Sequence, residues 1–118
     1  MTFSQELRAA ADKLRTLAET AQHDLETATY WKPYTSNAWA HGLINGFGGP
    51  SSDYAAVLPP TVGLAIAKIL REAAALHEPQ LCEKHEGCAP LGCQWCNDED
   101  WPCADIRNAL TVARALTT

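Results

Sequence analysis

The segment from His77 to Cys103 holds all five cysteines of the chain and two of its four histidines. Its sequence, HEPQLCEKHEGCAPLGCQWCNDEDWPC, follows neither the helical nor the strand period. A connection of this length without secondary structure is uncommon in a compact domain unless something other than a hydrophobic core orders it. Thiolate and imidazole are the groups with which proteins commonly hold Zn²⁺. The segment therefore predicts a structural zinc site around which the chain folds.

Disulfide bonds are a poor alternative for these cysteines. Five is an odd number, so complete pairing within one chain is impossible. The sequence opens without the basic and apolar regions of a signal peptide, and no run approaches the roughly 20 apolar residues of a membrane span. We therefore expect a cytoplasmic protein that does not enter a membrane, in a compartment that keeps thiols reduced.

Four ligands complete a tetrahedral zinc site, and the segment offers seven candidates. Cys93 and Cys96 are separated by two residues, a spacing with which a tight turn directs two thiolates at one ion. Cys103 lies near the start of a predicted helix, where amide N–H groups and the helix dipole favour the thiolate. His77 lies in the last turn of the preceding predicted helix. The first-choice ligands are His77, Cys93, Cys96 and Cys103, and the alternates are Cys82, His85 and Cys88.

Other metal chemistries fit the spacing less well. Cys88, Cys93 and Cys96 have the spacing of the first three cysteines of a plant-type ferredoxin, which leaves an iron–sulfur cluster as the minor alternative. A zinc deaminase would need a second cysteine at the position that Ile106 occupies. The sequence also has no HExxH helix, phosphate-binding glycine loop or nucleophile elbow. We expect a protein without enzymatic activity.

Apolar residues recur at helical spacing in three long stretches of the chain. The predicted helices run near 3–28, 60–77 and 102–117, with a short helix at 51–58. A chain of 118 residues suits one domain with one core. The sequence therefore predicts an all-α fold, a single helical domain over 1–118, with a long C-terminal loop at 77–103 that is ordered by zinc.

Two of these helices carry further signals. Thr2 followed by Gln5 has the form of a capping box ahead of the first helix. That helix would be roughly 40 Å long, more than a small core requires, so it is a candidate contact surface for a partner or for a second copy of the chain. The helix at 60–77 is apolar on nearly every side in its first two turns, which predicts that it is the central and most buried one.

Aromatic residues are scattered among glycine and proline between residues 30 and 54, where a short helix or a hairpin near 36–44 fits the sequence equally well. These side chains either cover a small core or form an exposed patch for a partner, since Tyr and Trp often anchor protein interfaces. The candidate partner-binding residues are Tyr30, Trp31, Tyr34 and Trp39.

The charge distribution argues against nucleic acid as the partner. The formal net charge is -5, and the nine lysines and arginines are dispersed rather than gathered into a basic stripe. A zinc-containing DNA-binding regulator that uses Arg107, Asn108 and Arg114 is the main alternative function, and a metalloenzyme is the third. The acidic residues at 98–100 and 105 would repel phosphates. The leading hypothesis is a small accessory or regulatory protein that acts by protein–protein binding.

The tail of the chain combines His77, the Cys93–Cys96 pair, the sequence WPC at 101–103 and Arg107. With the segments LRAAADKLR at 7–15 and PTVGLAIA at 60–67, it resembles small proteins of unknown function from actinobacteria and their phages, some of which end in His…CxxC…WPC. The resemblance implies a cytoplasmic accessory protein, phage-encoded in some cases, with a structural zinc. A host or phage protein is then the expected partner.

Overall fold

The structure is a computed structural model that describes residues 2–34, 37–77 and 102–117. Regular structure in these ranges is entirely helical, which confirms the predicted all-α class. A single turn of 3-10 helix covers Thr29–Trp31. The α-helices are α1 (Phe3–Thr27), α2 (Ala38–Gly46), α3 (Gly49–Ala56), α4 (Pro60–Leu76) and α5 (Ala104–Thr117).

The three long helices lie close to their predicted positions. The predicted capping box at the start of α1 is confirmed, because Gln5 N–H donates to Thr2 Oγ1 and Thr2 N–H donates to Gln5 Oε1. Helix α5 begins two residues later than predicted. Cys103 is the residue before its first turn, and its carbonyl accepts the first helical hydrogen bond, from Arg107 N–H at 2.9 Å.

The segment 37–56 folds as two short helices, α2 and α3, which pack against each other. The alternative of a hairpin near 36–44 is therefore wrong. Helix α3 begins at Gly49, two residues before the predicted Ser51 start, because Gly48 and Gly49 both have φ of +79° and turn the chain, and Pro50 suits a first helical turn.

Contacts divide the chain into two compact units. We call Met1–Lys13 with Ala67–Thr118 the terminal unit, and Leu14–Ile66 the middle unit. Helices α1 and α4 contribute residues to both units. The single-domain organisation over 1–118 stays a prediction.

The core of the terminal unit combines many small apolar side chains with a few large ones. Alanine side chains allow helices to approach closely, and the larger side chains of Leu7, Leu70 and Ile106 fill the remaining space with almost no exposure. The other buried apolar residues of this unit are Ala10, Ala11, Ala67, Ala74, Cys103, Ala109, Leu110 and Ala113.

Polar contacts at the edge of this core link the same three helices. Glu6 of α1 accepts a hydrogen bond from Arg114 of α5 at 2.8 Å. Ser4 Oγ donates to the carbonyl oxygen of Ala74 in α4 at 3.0 Å. Lys13 Nζ donates to the carbonyl oxygen of Leu116 at 3.0 Å. Side chains of α1 therefore form polar contacts with the C-terminal ends of both α4 and α5.

The burial of α4 differs from the prediction. Ala67, Leu70 and Ala74 are buried, whereas Ile69 is 62% exposed and Leu76 is also exposed. Helix α4 buries four of its 17 residues, whereas α5 buries four of 14, so the prediction that α4 is the most buried helix is wrong. The small side chains of Ala67 and Ala74 allow another helix to approach more closely than the larger side chains of the neighbouring row do. This favours burial of the face that carries the alanines.

The middle unit buries small residues. Ala18, Ala40, Ser52 and Pro60 are its buried residues among those that the structure describes. Gly63 of α4 lies close to Ala18 of α1. A Cβ added at Gly63 would lie 3.2 Å from the Ala18 Cβ. Its tryptophans, Trp31 and Trp39, are half-buried and stack on each other.

No single helix in the described ranges combines the length and apolar character needed to cross a membrane. Helices α3 and α4, which meet at a 59° bend, reach that length and composition only when they are taken together.

Candidate metal centre and aromatic cavity

His77 and Cys103 are brought together although 26 residues separate them in the sequence. His77 directly follows α4, and its N–H still donates to the carbonyl oxygen of Ala73 at 3.0 Å. Cys103 directly precedes α5. Both residues are buried. The end of one helix and the start of another therefore place an imidazole and a thiol in contact, away from water.

The distance between these two side chains fits a shared zinc ion. Cys103 Sγ lies 3.6 Å from His77 Nδ1. Zinc binds sulfur at about 2.3 Å and imidazole nitrogen at about 2.05 Å, so two ligands at the tetrahedral angle are separated by about 3.6 Å. A thiol–imidazole hydrogen bond has a similar length, so the distance fits both arrangements. The donor types and their burial fit zinc.

Asp105 lies on the other side of the imidazole ring. Its Oδ2 is 3.3 Å from His77 Nε2, while Nδ1 faces Cys103. The carboxylate favours the proton on Nε2, which leaves the lone pair on Nδ1 directed toward the sulfur. Metal-binding histidines usually have such a carboxylate or carbonyl partner for their second nitrogen. In the sequence, Asp105 is recognisable only as a negative charge that repels phosphates, because spacing along the chain does not reveal its contact with His77.

The remaining candidate ligands lie outside the described residues. These are Cys82, His85, Cys88, Cys93 and Cys96. Within the ranges 2–34, 37–77 and 102–117, no three His, Cys, Asp or Glu side chains are grouped to hold a metal ion. Two members of the first-choice set, His77 and Cys103, are adjacent, and the full set of four stays a prediction.

A second site is formed in the middle unit by the aromatic residues. The rings of Trp31 and Trp39 stack with their centroids 5.7 Å apart and an interplanar angle of 17°. Trp39 is anchored in turn, because its Nε1–H donates to the carbonyl oxygen of Ala55 at 3.0 Å. Gly42 allows Trp31 to approach α2, since a Cβ there would lie 2.9 Å or less from the indole ring. Trp31 is thus held in a defined position.

Asp24 holds the two neighbouring aromatic rings by their polar atoms. Its Oδ2 accepts hydrogen bonds from Tyr30 Oη and from Trp31 Nε1, the latter at 3.0 Å. The hydrogen bond from Tyr30, followed by that from Trp31, lowers the pKa of Asp24. The same hydrogen bond raises the pKa of Tyr30. At neutral pH an anionic carboxylate therefore accepts hydrogen bonds from two electrically neutral rings.

These rings border a cavity of about 330 Å³. Three of the four predicted partner-binding residues, Tyr30, Trp31 and Tyr34, line it. Trp39 does not line the cavity but stacks on Trp31. Phe47, which is not among the predicted partner-binding residues, also lines the cavity and is 82% exposed. We call this feature the aromatic cavity; its lining residues are Tyr30, Trp31, Tyr34, Gly42, Leu43, Gly46 and Phe47.

The chain matches no protein-family model, no curated protein sequence and no solved structure. The geometry of the His77–Cys103 pair and of the aromatic cavity is therefore the basis for a functional proposal.

Proposed function

We propose that this chain is a non-enzymatic accessory or regulatory protein of the cytoplasm that binds a host or phage protein through the aromatic cavity. The observation that carries the proposal is the position of Phe47, an 82% exposed aromatic side chain at the edge of a cavity with three further aromatic walls. Aromatic side chains beside a concave apolar surface are typical anchors of protein interfaces.

Preorganisation supports this use of the cavity. Stacking on Trp39, the hydrogen bond to Asp24 and the close approach to Gly42 all restrict Trp31. A side chain that is already ordered loses little conformational entropy when a partner binds, so more of the contact energy remains as affinity. These contacts lie within the middle unit, which supports a cavity that exists before the partner arrives.

We also propose that a structural zinc ion is held by His77, Cys93, Cys96 and Cys103. Support comes from the 3.6 Å separation of Cys103 Sγ and His77 Nδ1, from their burial, and from Asp105 beside Nε2. Zinc with four protein ligands contributes stability and no reaction chemistry. An iron–sulfur cluster remains the minor alternative. The resemblance to small actinobacterial and actinophage proteins, some of which end in His…CxxC…WPC, agrees with this proposal.

The DNA-binding alternative receives less support. It assigns phosphate contacts to Arg107 and Arg114, but Arg114 is hydrogen-bonded to Glu6, and Arg107 Nη1 donates to the carbonyl oxygen of Pro102 at 2.6 Å. Each guanidinium group would have to exchange an internal contact for a phosphate.

Affinity capture followed by binding measurements with the purified partner tests the proposed function. We expect Phe47→Ala to weaken binding by about 30-fold, since truncation of a central anchor typically costs about 2 kcal/mol. Tyr54→Ala is the matched control, because Tyr54 is a 70% exposed aromatic residue of the same unit that does not line the cavity. Equal binding by the wild type and both variants, with unchanged helical circular dichroism, would overturn the proposal.

A further inference from the structure

We propose that the aromatic cavity receives the guanidinium group of an arginine side chain from the partner protein. This inference rests on the proposed function of the cavity and adds the chemistry that it recognises. It follows from the carboxylate of Asp24, which contacts two of the cavity's rings, and from the residues that form the cavity walls.

The carboxylate of Asp24 makes two of the rings better acceptors for a cation. Tyr30 and Trp31 each donate their polar hydrogen to the same oxygen, Oδ2. Donation to an anion increases the electron density of the donor ring, and the attraction of a cation to a ring face grows with that density. Asp24 also adds direct Coulomb attraction at the edge of both rings.

The charge of the middle unit has the same sign. Residues 14–66 contain four acidic side chains and two basic ones. A partner with a positive contact surface is therefore steered toward this unit, and a negative one is disfavoured.

The walls of the cavity favour a guanidinium over an ammonium group. Apart from the aromatic rings, they consist of Leu43 and two glycines. A lysine ammonium is strongly hydrated and would lose much of that hydration here, whereas a guanidinium is more weakly hydrated, is planar and stacks on aromatic faces. The volume of about 330 Å³ is at the lower end of the range for ligand sites, which suits one side chain.

The test compares two capped tripeptides, Gly-Arg-Gly and Gly-citrulline-Gly, that differ only in charge and in one atom of the side-chain head group. Each is titrated into the full-length protein to a concentration on the order of 10 mM, since one isolated side chain is expected to bind in the millimolar range. Binding is followed by NMR at the indole N–H signal of Trp31, which a Trp31→Phe spectrum identifies.

We expect the arginine peptide to shift the Trp31 signal and to bind at least about fivefold more tightly than the citrulline peptide, as a cation–π contact predicts. Asp24→Asn, which keeps an acceptor oxygen but removes the charge, and Phe47→Leu should each weaken arginine binding severalfold. Tyr54→Ala should leave it unchanged. A loss of the preference at high salt would agree with its electrostatic origin.

Equal affinity for the two peptides, or no shift with either, would overturn the inference. If the captured partner protein still depended on Phe47 in that case, the cavity would bind a protein through a different side chain, and the proposed function would stand. If capture were also insensitive to Phe47, both proposals would fail.

Discussion

Replacement of Asp105 by alanine tests the link between the fold and the proposed metal site. Asp105 does not bind the ion in our account. It favours the His77 tautomer whose Nδ1 is available, through a 3.3 Å contact between Oδ2 and Nε2. Loss of such a supporting carboxylate generally weakens metal binding by about 10- to 100-fold. Because the Asp105 side chain is 62% exposed, water partly replaces it, and we expect the lower end, about 10-fold or ~1.4 kcal/mol.

Zinc affinity is best measured by competition with a chromophoric chelator at a temperature at which all variants are folded. Asp105 also lies in the first turn of α5, where a negative charge stabilises a helix by about 0.3–1 kcal/mol. The alanine variant should therefore have a slightly lower melting temperature than the wild type even without metal. The zinc affinity distinguishes this effect on the helix from the loss of support for His77. Asp53→Ala, an exposed aspartate of α3, is the matched control and should bind zinc like the wild type.

Asp105→Asn should lose less affinity than Asp105→Ala, because the amide oxygen can still accept a hydrogen bond from Nε2–H. If Asp105→Ala bound zinc as tightly as the wild type, the proposed orientation of His77 would be refuted, although zinc binding itself would not be.

Two further predictions concern stability. The hydrogen bond and charge of Arg114 lower the pKa of Glu6 below its ordinary value of 4.5, so this pair stabilises the fold above that pH and the contribution is lost as the pH falls through the lowered pKa. Urea unfolding of chelator-treated protein should show a deficit of Glu6→Gln against the wild type at neutral pH that shrinks at about pH 3, and an equal deficit at both pH values would contradict this. Ser52 has a buried Oγ without a hydrogen-bond partner among the described residues, so Ser52→Ala should raise the free energy of unfolding by about 1 kcal/mol, more than the exposed control Ser51→Ala. A lower stability of Ser52→Ala than of the wild type would mean that the hydroxyl is satisfied.

Local signals in the sequence predicted much of the helical structure. The capping box of Thr2 and Gln5 and the prolines near helix starts act over a few residues, so they can be recognised without knowledge of the fold. The contact of His77 with Cys103 agrees with the ligand set expected from residue types and predicted helix ends.

Features that depend on tertiary packing could not be predicted in this way. Helix α4 has two neighbouring rows of apolar side chains, and its contacts with other helices determine which row is buried. Ile69 lies on the row that stays exposed. The role of Gly42 depends on the approach of Trp31, and the place of Phe47 in the aromatic cavity depends on the contacts between α2 and the 3-10 turn at Thr29–Trp31. None of these contacts leaves a pattern in the local sequence.

The metal content of natively purified protein tests the central claim most directly. We predict one zinc ion per chain by elemental analysis, its loss in Cys103→Ser, and a lower melting temperature of the wild type after treatment with a chelator. Protein that contains neither zinc nor iron, and whose melting temperature is the same with and without chelator, would contradict a metal-stabilised fold.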